Sequence, residues 1–195
     1  MDIGYIRKQL AESAAVKERI AEECAGPIGE ACGMLVRAFR EGRKVLLCGN
    51  GGSAADAQHI AAELVVRMTI AGQPALPAIA LTTDSSALTA AGNDIGFENV
   101  FARQVEALGS PGDVLVVIST SGNSENVVRA AGEARGRKMA VIGFLGRGGG
   151  RLAAMTDVAV TIPSDDTQRI QEGHITVAHI VCGLVERTMF GEGRT

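Results

Sequence analysis

The spacing of apolar positions changes along this chain, and the change divides it into helical and strand-like segments. From Ile3 to about Arg40 apolar residues recur at helical spacing, with Ile3, Ile6 and Leu10 on one stripe and Met34, Leu35 and Ala38 on another. Two helices are predicted there, separated at Gly26-Pro27. Short apolar runs then take over: Val45–Leu47, Ala78–Leu81, Val114–Ile118, Ala140–Ile142 and Val158–Ile162. Such runs read as strands buried on both faces, and five of them predict a five-stranded sheet. Between them helical patterns return at Ala54–Thr69, Phe97–Leu108, Asn123–Arg135 and Thr167–Phe190.

Strand and helix alternate, which predicts an α/β fold: a parallel sheet joined by right-handed crossovers, helices on both faces, three layers in the flavodoxin-like manner. Residues 1–42 read as an N-terminal helical extension of a single domain spanning 1–195. In this architecture ligands sit beyond the carboxyl ends of the strands. No internal repeat or long linker interrupts the pattern, and Gly148-Gly149-Gly150 reads as a surface turn.

Composition narrows the chemistry. With 46% hydrophobic residues, 25 Gly, one Tyr and no Trp, the core is expected to be aliphatic and the loops glycine-rich. A net charge of −3 offers no general attraction to nucleic acid or anionic membranes, so an anionic ligand has to be held by local dipoles. No segment reaches the roughly 20 apolar residues that span a bilayer, and no leader follows Arg7-Lys8, so neither a nucleic-acid nor a membrane partner is expected and a cytoplasmic location is. Cys24, Cys32, Cys48 and Cys182 lack any CxxC pairing and read as buried small hydrophobes, with Cys48 set apart by its place beside a glycine turn.

Two loops stand out at strand ends. Cys48-Gly49-Asn50-Gly51-Gly52-Ser53 passes from the first strand into a helix. Glycines let the backbone approach a ligand, and a helix start offers free N–H groups to an anion such as phosphate, although a glycine turn can be only a turn. The sequence is neither a Walker A motif nor GxGxxG, since residue 54 is Ala, and no nucleotide cofactor is expected. After the third strand, Ser119-Thr120-Ser121-Gly122-Asn123-Ser124 places four hydroxyls before another helix. These can bind phosphate without Lys or Arg, or they can form an elaborate helix cap. Two such loops at strand carboxyl ends favour phosphate.

The histidines supply the acid–base candidates. His59 and Glu63 stand four apart on the helix leaving the glycine loop and share a face, as a surface pair or as joint ligands of one ion or substrate. Gln171, Glu172, His174 and His179 are embedded in an otherwise apolar helix and require partners, structural or functional. Gln171 and His179 are separated by about 12 Å of helix rise and cannot bind one ion from one regular helix. Either Gln171 precedes the regular helix, or a shared site draws on two subunits.

Together these features resemble the sugar isomerase (SIS) family over nearly the whole chain. The markers are Cys48 to His59, then Glu63, Gly92-Asn93-Asp94, the Ser119 to Ser124 loop, and Arg169-Ile170-Gln171-Glu172 followed by His179. The resemblance implies a SIS fold whose substrate site is lined by Asn50, Gly51, Gly52, Ser53, Glu63, Asn93, Asp94, Ser119, Thr120, Ser121, Ser124 and Gln171, with phosphate on the hydroxyl loop. It implies Glu63 and His179 as the acid–base pair, zinc held through His59, Glu63, Gln171 and His179, and a homotetramer with active sites at subunit boundaries.

Within the family it implies an aldose–ketose isomerase that converts sedoheptulose 7-phosphate to D-glycero-D-manno-heptose 7-phosphate through an enediol or enediolate. That reaction supplies heptose for lipopolysaccharide cores or other glycans. Some relatives carry an acidic residue immediately before the Arg-Ile-Gln-Glu run; here Gln168 stands there, with Asp165 and Asp166 slightly earlier. The alternatives are a non-catalytic SIS protein that binds a phosphosugar or a replication-initiator partner, and a SIS enzyme acting on an amino-sugar phosphate.

Overall fold

The computed structural model describes residues 1–191. Two helices, α1 (Ile3–Glu23) and α2 (Ala25–Arg40), precede an alternating series: β1 (Val45–Gly49), α3 (Gly52–Val65), β2 (Ala78–Ala80), α4 (Ser85–Asp94), α5 (Val100–Leu108), β3 (Val114–Ser119), α6 (Glu125–Gly136), β4 (Ala140–Leu145), α7 (Gly150–Ala153), β5 (Val158–Thr161) and α8 (Thr167–Phe190). Asp2, Asp84 and Asp166 cap α1, α4 and α8, each accepting a backbone N–H of the first turn.

All strand pairs are parallel, in the order β2-β1-β3-β4-β5. The order reverses between β1 and β3, the switch point at which such sheets open a crevice. Gly49 is paired with Ile118, so the two loops that follow these strands start at the same level. Successive strand residues face opposite layers. Val45, Leu47, Val116, Ile118 and Phe144 pack with α2, α3 and α8, whereas Leu46, Cys48, Val117 and Leu145 pack with α5, α6 and α7. The helices after β1 and β3 therefore leave on opposite faces, which keeps the crevice open.

Four expectations need correction. The break between the first helices falls at Cys24, and Pro27 lies in the first turn of α2, where a missing N–H costs no hydrogen bond. Helix α3 begins at Gly52 and ends at Val65, short of Thr69. Helix α4 was not predicted: it is Ala- and Ser-rich and buries none of its residues fully, with only Leu88 and Ala91 packing against the core. The glycine run is not simply a surface turn, because Gly149 is buried and packs against the hydroxyl loop. All four cysteines are free and buried as expected, and burial pushes the Cys48 thiol up to about 12. Among the described residues no helix is long and apolar enough to cross a membrane.

Candidate active site

The glycine loop leaves β1 through Asn50 and Gly51, whose φ of 55° suits a residue without Cβ. Helix α3 then starts immediately, with Ser53 buried in its first turn. Gly49 is confined in turn, since a Cβ there would stand 2.8 Å from Ser53 and 2.9 Å from the Ile118 carbonyl. Across the crevice the hydroxyl loop leaves β3. Ser119 is buried, its Oγ accepts the Gly122 N–H at 3.1 Å, and it lies 3.4 Å from the Ser124 hydroxyl. Ser121 accepts the Asn123 N–H at 3.2 Å, while Thr120 and Ser121 remain partly accessible. Some of these hydroxyls thus shape the loop and others stay available to a ligand, but none caps the helix: Ser124, the N-cap of α6, makes no side-chain capping bond.

The two loops are tied by a pair that the sequence did not reveal. Asn50 and Asn126 exchange amide hydrogen bonds, Nδ2 to Oδ1 in both directions, each 2.9 Å long. Asn126 is buried in the first turn of α6, and its partner is 76 residues away, so no local spacing marks it.

Helices α3 and α8 lie side by side and set the remaining candidates along one seam. Gln171 meets the start of α3, where a Cβ on Gly52 would stand 2.5 Å from its Nε2. Further along, His59 Nε2 lies 2.8 Å from His179 Nε2 and 3.4 Å from Glu63 Oε1. His59, Glu63 and His179 therefore come together within one chain, with donor atoms all within 4.8 Å of one another. Two imidazole nitrogens and a carboxylate are ligands that zinc takes. The two nitrogens are closer than the about 3.3 Å expected for ligands about 2.05 Å from a tetrahedral ion. Admitting zinc asks the rings to part by roughly half an ångström. Both histidines are exposed and free to do so, and the set fits.

Gln171 does not join this cluster in its own chain. Because α8 begins at Thr167, Gln171 lies inside the regular helix, which removes the first of the two explanations for its spacing from His179. Asn93 and Asp94 end α4, which packs on α5, and Asn93 donates to Asp94 at 2.7 Å. Asp166 is the α8 cap, and His174 is a structural residue whose Nε2 pairs with the Leu145 carbonyl at 3.0 Å.

Asp56, a family marker that was not among the expected site residues, lies one turn before His59 on α3. One of its carboxylate oxygens is buried without a hydrogen-bond partner; burial raises its pKa, and His59 nearby pulls the other way. Its spacing of three from His59 could have drawn notice.

The SIS domain family matches residues 9–146, more than half of the chain. A phosphoheptose isomerase of Geotalea daltonii is 53% identical over 98% of this chain and all of its own length. One of Trichlorobacter lovleyi is 51% identical over 98% of this chain and 99% of its own. The structure of phosphoheptose isomerase from Neisseria gonorrhoeae superposes with a TM-score of 0.89 at 47% identity, covering 94% of this chain and 97% of that one. Residue 146 is the last of the family match, so His179 and Gln171 lie outside it but inside the full-length similarity.

Proposed function

The chain belongs to the SIS domain family, and on that premise we propose that it acts as a phosphoheptose isomerase, converting sedoheptulose 7-phosphate to D-glycero-D-manno-heptose 7-phosphate. The observation that carries this reading is the meeting of His59, Glu63 and His179 on the α3–α8 seam in a chain about half identical to enzymes of that name.

The glycine loop and the hydroxyl loop hold the substrate, with phosphate on Ser119, Thr120, Ser121 and Ser124 and on the N–H groups opening α6. Chemistry then moves protons between two neighbouring carbons. Glu63 takes a proton from C1 of the ketose while the C2 carbonyl oxygen gains one, giving the enediol; the O1 hydroxyl then releases its proton and C2 receives one, leaving an aldehyde at C1 and a hydroxyl at C2. His179 carries protons to and from the oxygens. His59, Glu63 and His179 would hold zinc in the absence of substrate, and a zinc retained at His59 would supply a Lewis acid for the carbonyl once Glu63 and His179 are released for proton transfer.

Subunits meeting at the seam complete the proposal. Val65, Val66, Ile180 and Leu184 leave apolar surface exposed around the triad, which supports a boundary there. A homotetramer then brings Asn93 and Asp94 to the site, and a second Gln171 to the triad, from neighbouring copies. Four free, buried cysteines suit a reducing cytoplasm, and the product would feed heptose-containing glycans such as lipopolysaccharide.

The test is turnover of a panel of five-, six- and seven-carbon ketose phosphates by the purified protein and by folded Glu63→Gln and His179→Ala. Preference for the seven-carbon substrate, with both variants reduced at least about a hundredfold, is expected. Equal turnover across the panel removes the heptose assignment, and near-normal turnover by both variants removes the acid–base pair.

A further inference from the structure

Beyond β4 the chain reads Gly146-Arg147-Gly148-Gly149-Gly150, and Arg147 to Gly150 take φ of 49°, 72°, 88° and 54°. Glycine adopts such angles freely, but Arg147 is one of two non-glycine residues with positive φ among those described. A side chain held in a disfavoured conformation within a run of glycines directs attention to what it does there. Its guanidinium reaches across to the segment before α8: Nε donates to the Asp165 carbonyl at 3.2 Å and Nη2 to Thr167 Oγ1 at 2.9 Å, while its backbone N–H donates to the Ser164 carbonyl at 3.3 Å.

On its other side the same run is the wall of the hydroxyl loop. A Cβ on Gly122 would lie 1.9 Å from the Gly149 carbonyl oxygen, and one on Gly150 would lie 2.6 Å from that of Ser121. The Arg151 N–H donates to Asn123 Oδ1 at 3.0 Å, and the Leu152 N–H to the Gly122 carbonyl at 3.0 Å. Arg147 thus joins the wall of the hydroxyl loop to the start of α8, the helix that places Gln171 against Gly52 and His179 beside His59.

We infer that Arg147 is a positioning residue that fixes the separation between the phosphate-holding hydroxyl loop and the helix carrying His179. It does so without touching substrate or reacting atoms. The inference rests on the isomerase reading, because only a substrate engaged at both places senses their separation.

The experiment compares the full-length wild type with Arg147→Gly and Arg147→Lys, measuring kcat and KM for sedoheptulose 7-phosphate, competitive inhibition by inorganic phosphate, and thermal unfolding. Arg147→Gly relieves the backbone strain and is expected to unfold at or above the wild-type temperature. Its kcat is nevertheless expected to fall about tenfold, since small displacements of reacting groups are costly, while the inhibition constant of phosphate, which needs the loop alone, stays within about twofold. Arg147→Lys retains one donor at the strained position and is expected to regain part of kcat while unfolding below Arg147→Gly. Activity and stability then rank in opposite orders, which a purely structural role does not produce.

Wild-type kcat in Arg147→Gly overturns the positioning role and leaves the isomerase reading standing. A phosphate constant that rises as much as kcat falls, or loss of cooperative unfolding, overturns it as well. A wild type inert toward every ketose phosphate overturns both readings.

Discussion

Asn126 shows how one residue can set the geometry of two loops at once. Its replacement by Ala deletes both amide bonds to Asn50 and leaves that side chain without a partner across the crevice. We predict a loss of about 1–3 kcal/mol in stability by urea unfolding and a higher substrate KM. His174 is a separate case, fully buried, with burial pushing its pKa down to about 4 despite the opposing bond to the Leu145 carbonyl. The folded state keeps it neutral, whereas the unfolded state binds a proton near pH 6.5. Its contribution is therefore intact above pH 6.5 and is lost as the pH falls toward 4, about 3 kcal/mol in all. Urea midpoints across this window should slope in the wild type and flatten in His174→Gln. His59 with Glu63 was legible in the sequence because both sit on one helix four residues apart. Asn126 was not, because an amide reveals its partner only once β1 and β3 are paired.

At the scale of elements, two glycines predict opposite outcomes. A Cβ at Gly122 would meet the backbone carbonyl of Gly149, which cannot turn aside, and Gly122 has a φ of 65°. Gly122→Ala should therefore cost about 3 kcal/mol or more, read as a lower midpoint of unfolding. A Cβ at Gly52 would meet only the end of the Gln171 side chain, which can rotate away. Gly52→Ala should keep its stability within about 1 kcal/mol, by the good helix propensity of Ala, and yet lose substrate affinity.

Glu186 holds the segment after α3: its carboxylate accepts the N–H groups of Met68, Thr69 and Ile70 and the Thr69 hydroxyl. Burial would raise its pKa, but these donors outweigh it and hold the group below the usual carboxylate range. Stability from this group is present above the unfolded carboxylate pKa of about 4.3 and is lost as the pH falls below it. Glu186→Gln turns an amide donor toward N–H groups and should destabilise by about 2 kcal/mol at neutral pH, measured by chemical denaturation. The strands, built on short and mostly apolar runs, were readable from sequence. Helix α4 was not, since only Leu88 and Ala91 of it pack against the core, and neither was the role of the glycine run, whose packing partner lies in another loop.

At the scale of the molecule, the single chain assembles the triad but leaves Gln171, Asn93 and Asp94 apart from it. If these residues belong to one site through neighbouring copies, mixing Glu63→Gln chains with Asp94→Ala chains should restore activity that neither has alone. Light scattering should give the mass of four chains, near four times 20.2 kDa. Failure to restore activity in a demonstrated mixed oligomer would place the site within one subunit. Exposed Ile3, Ile6 and Leu10 along α1 give a second apolar stripe for such an assembly.

Helix α8 is the last helix in chain order, yet it packs on α1, α2, α3 and β4. During synthesis at roughly 5–20 residues per second, the first two helices and the glycine loop emerge well before the segment that covers them. All five strands must leave the ribosome before His179 can reach His59. Until then Ile28, Leu35, Val36 and Phe39 of α2 lack part of their eventual cover. Competence is thus conferred only when α8 docks, and a ribosome stalled before that helix would hold no proton-transfer pair and a sticky flank on α2 and α3 suited to chaperone capture.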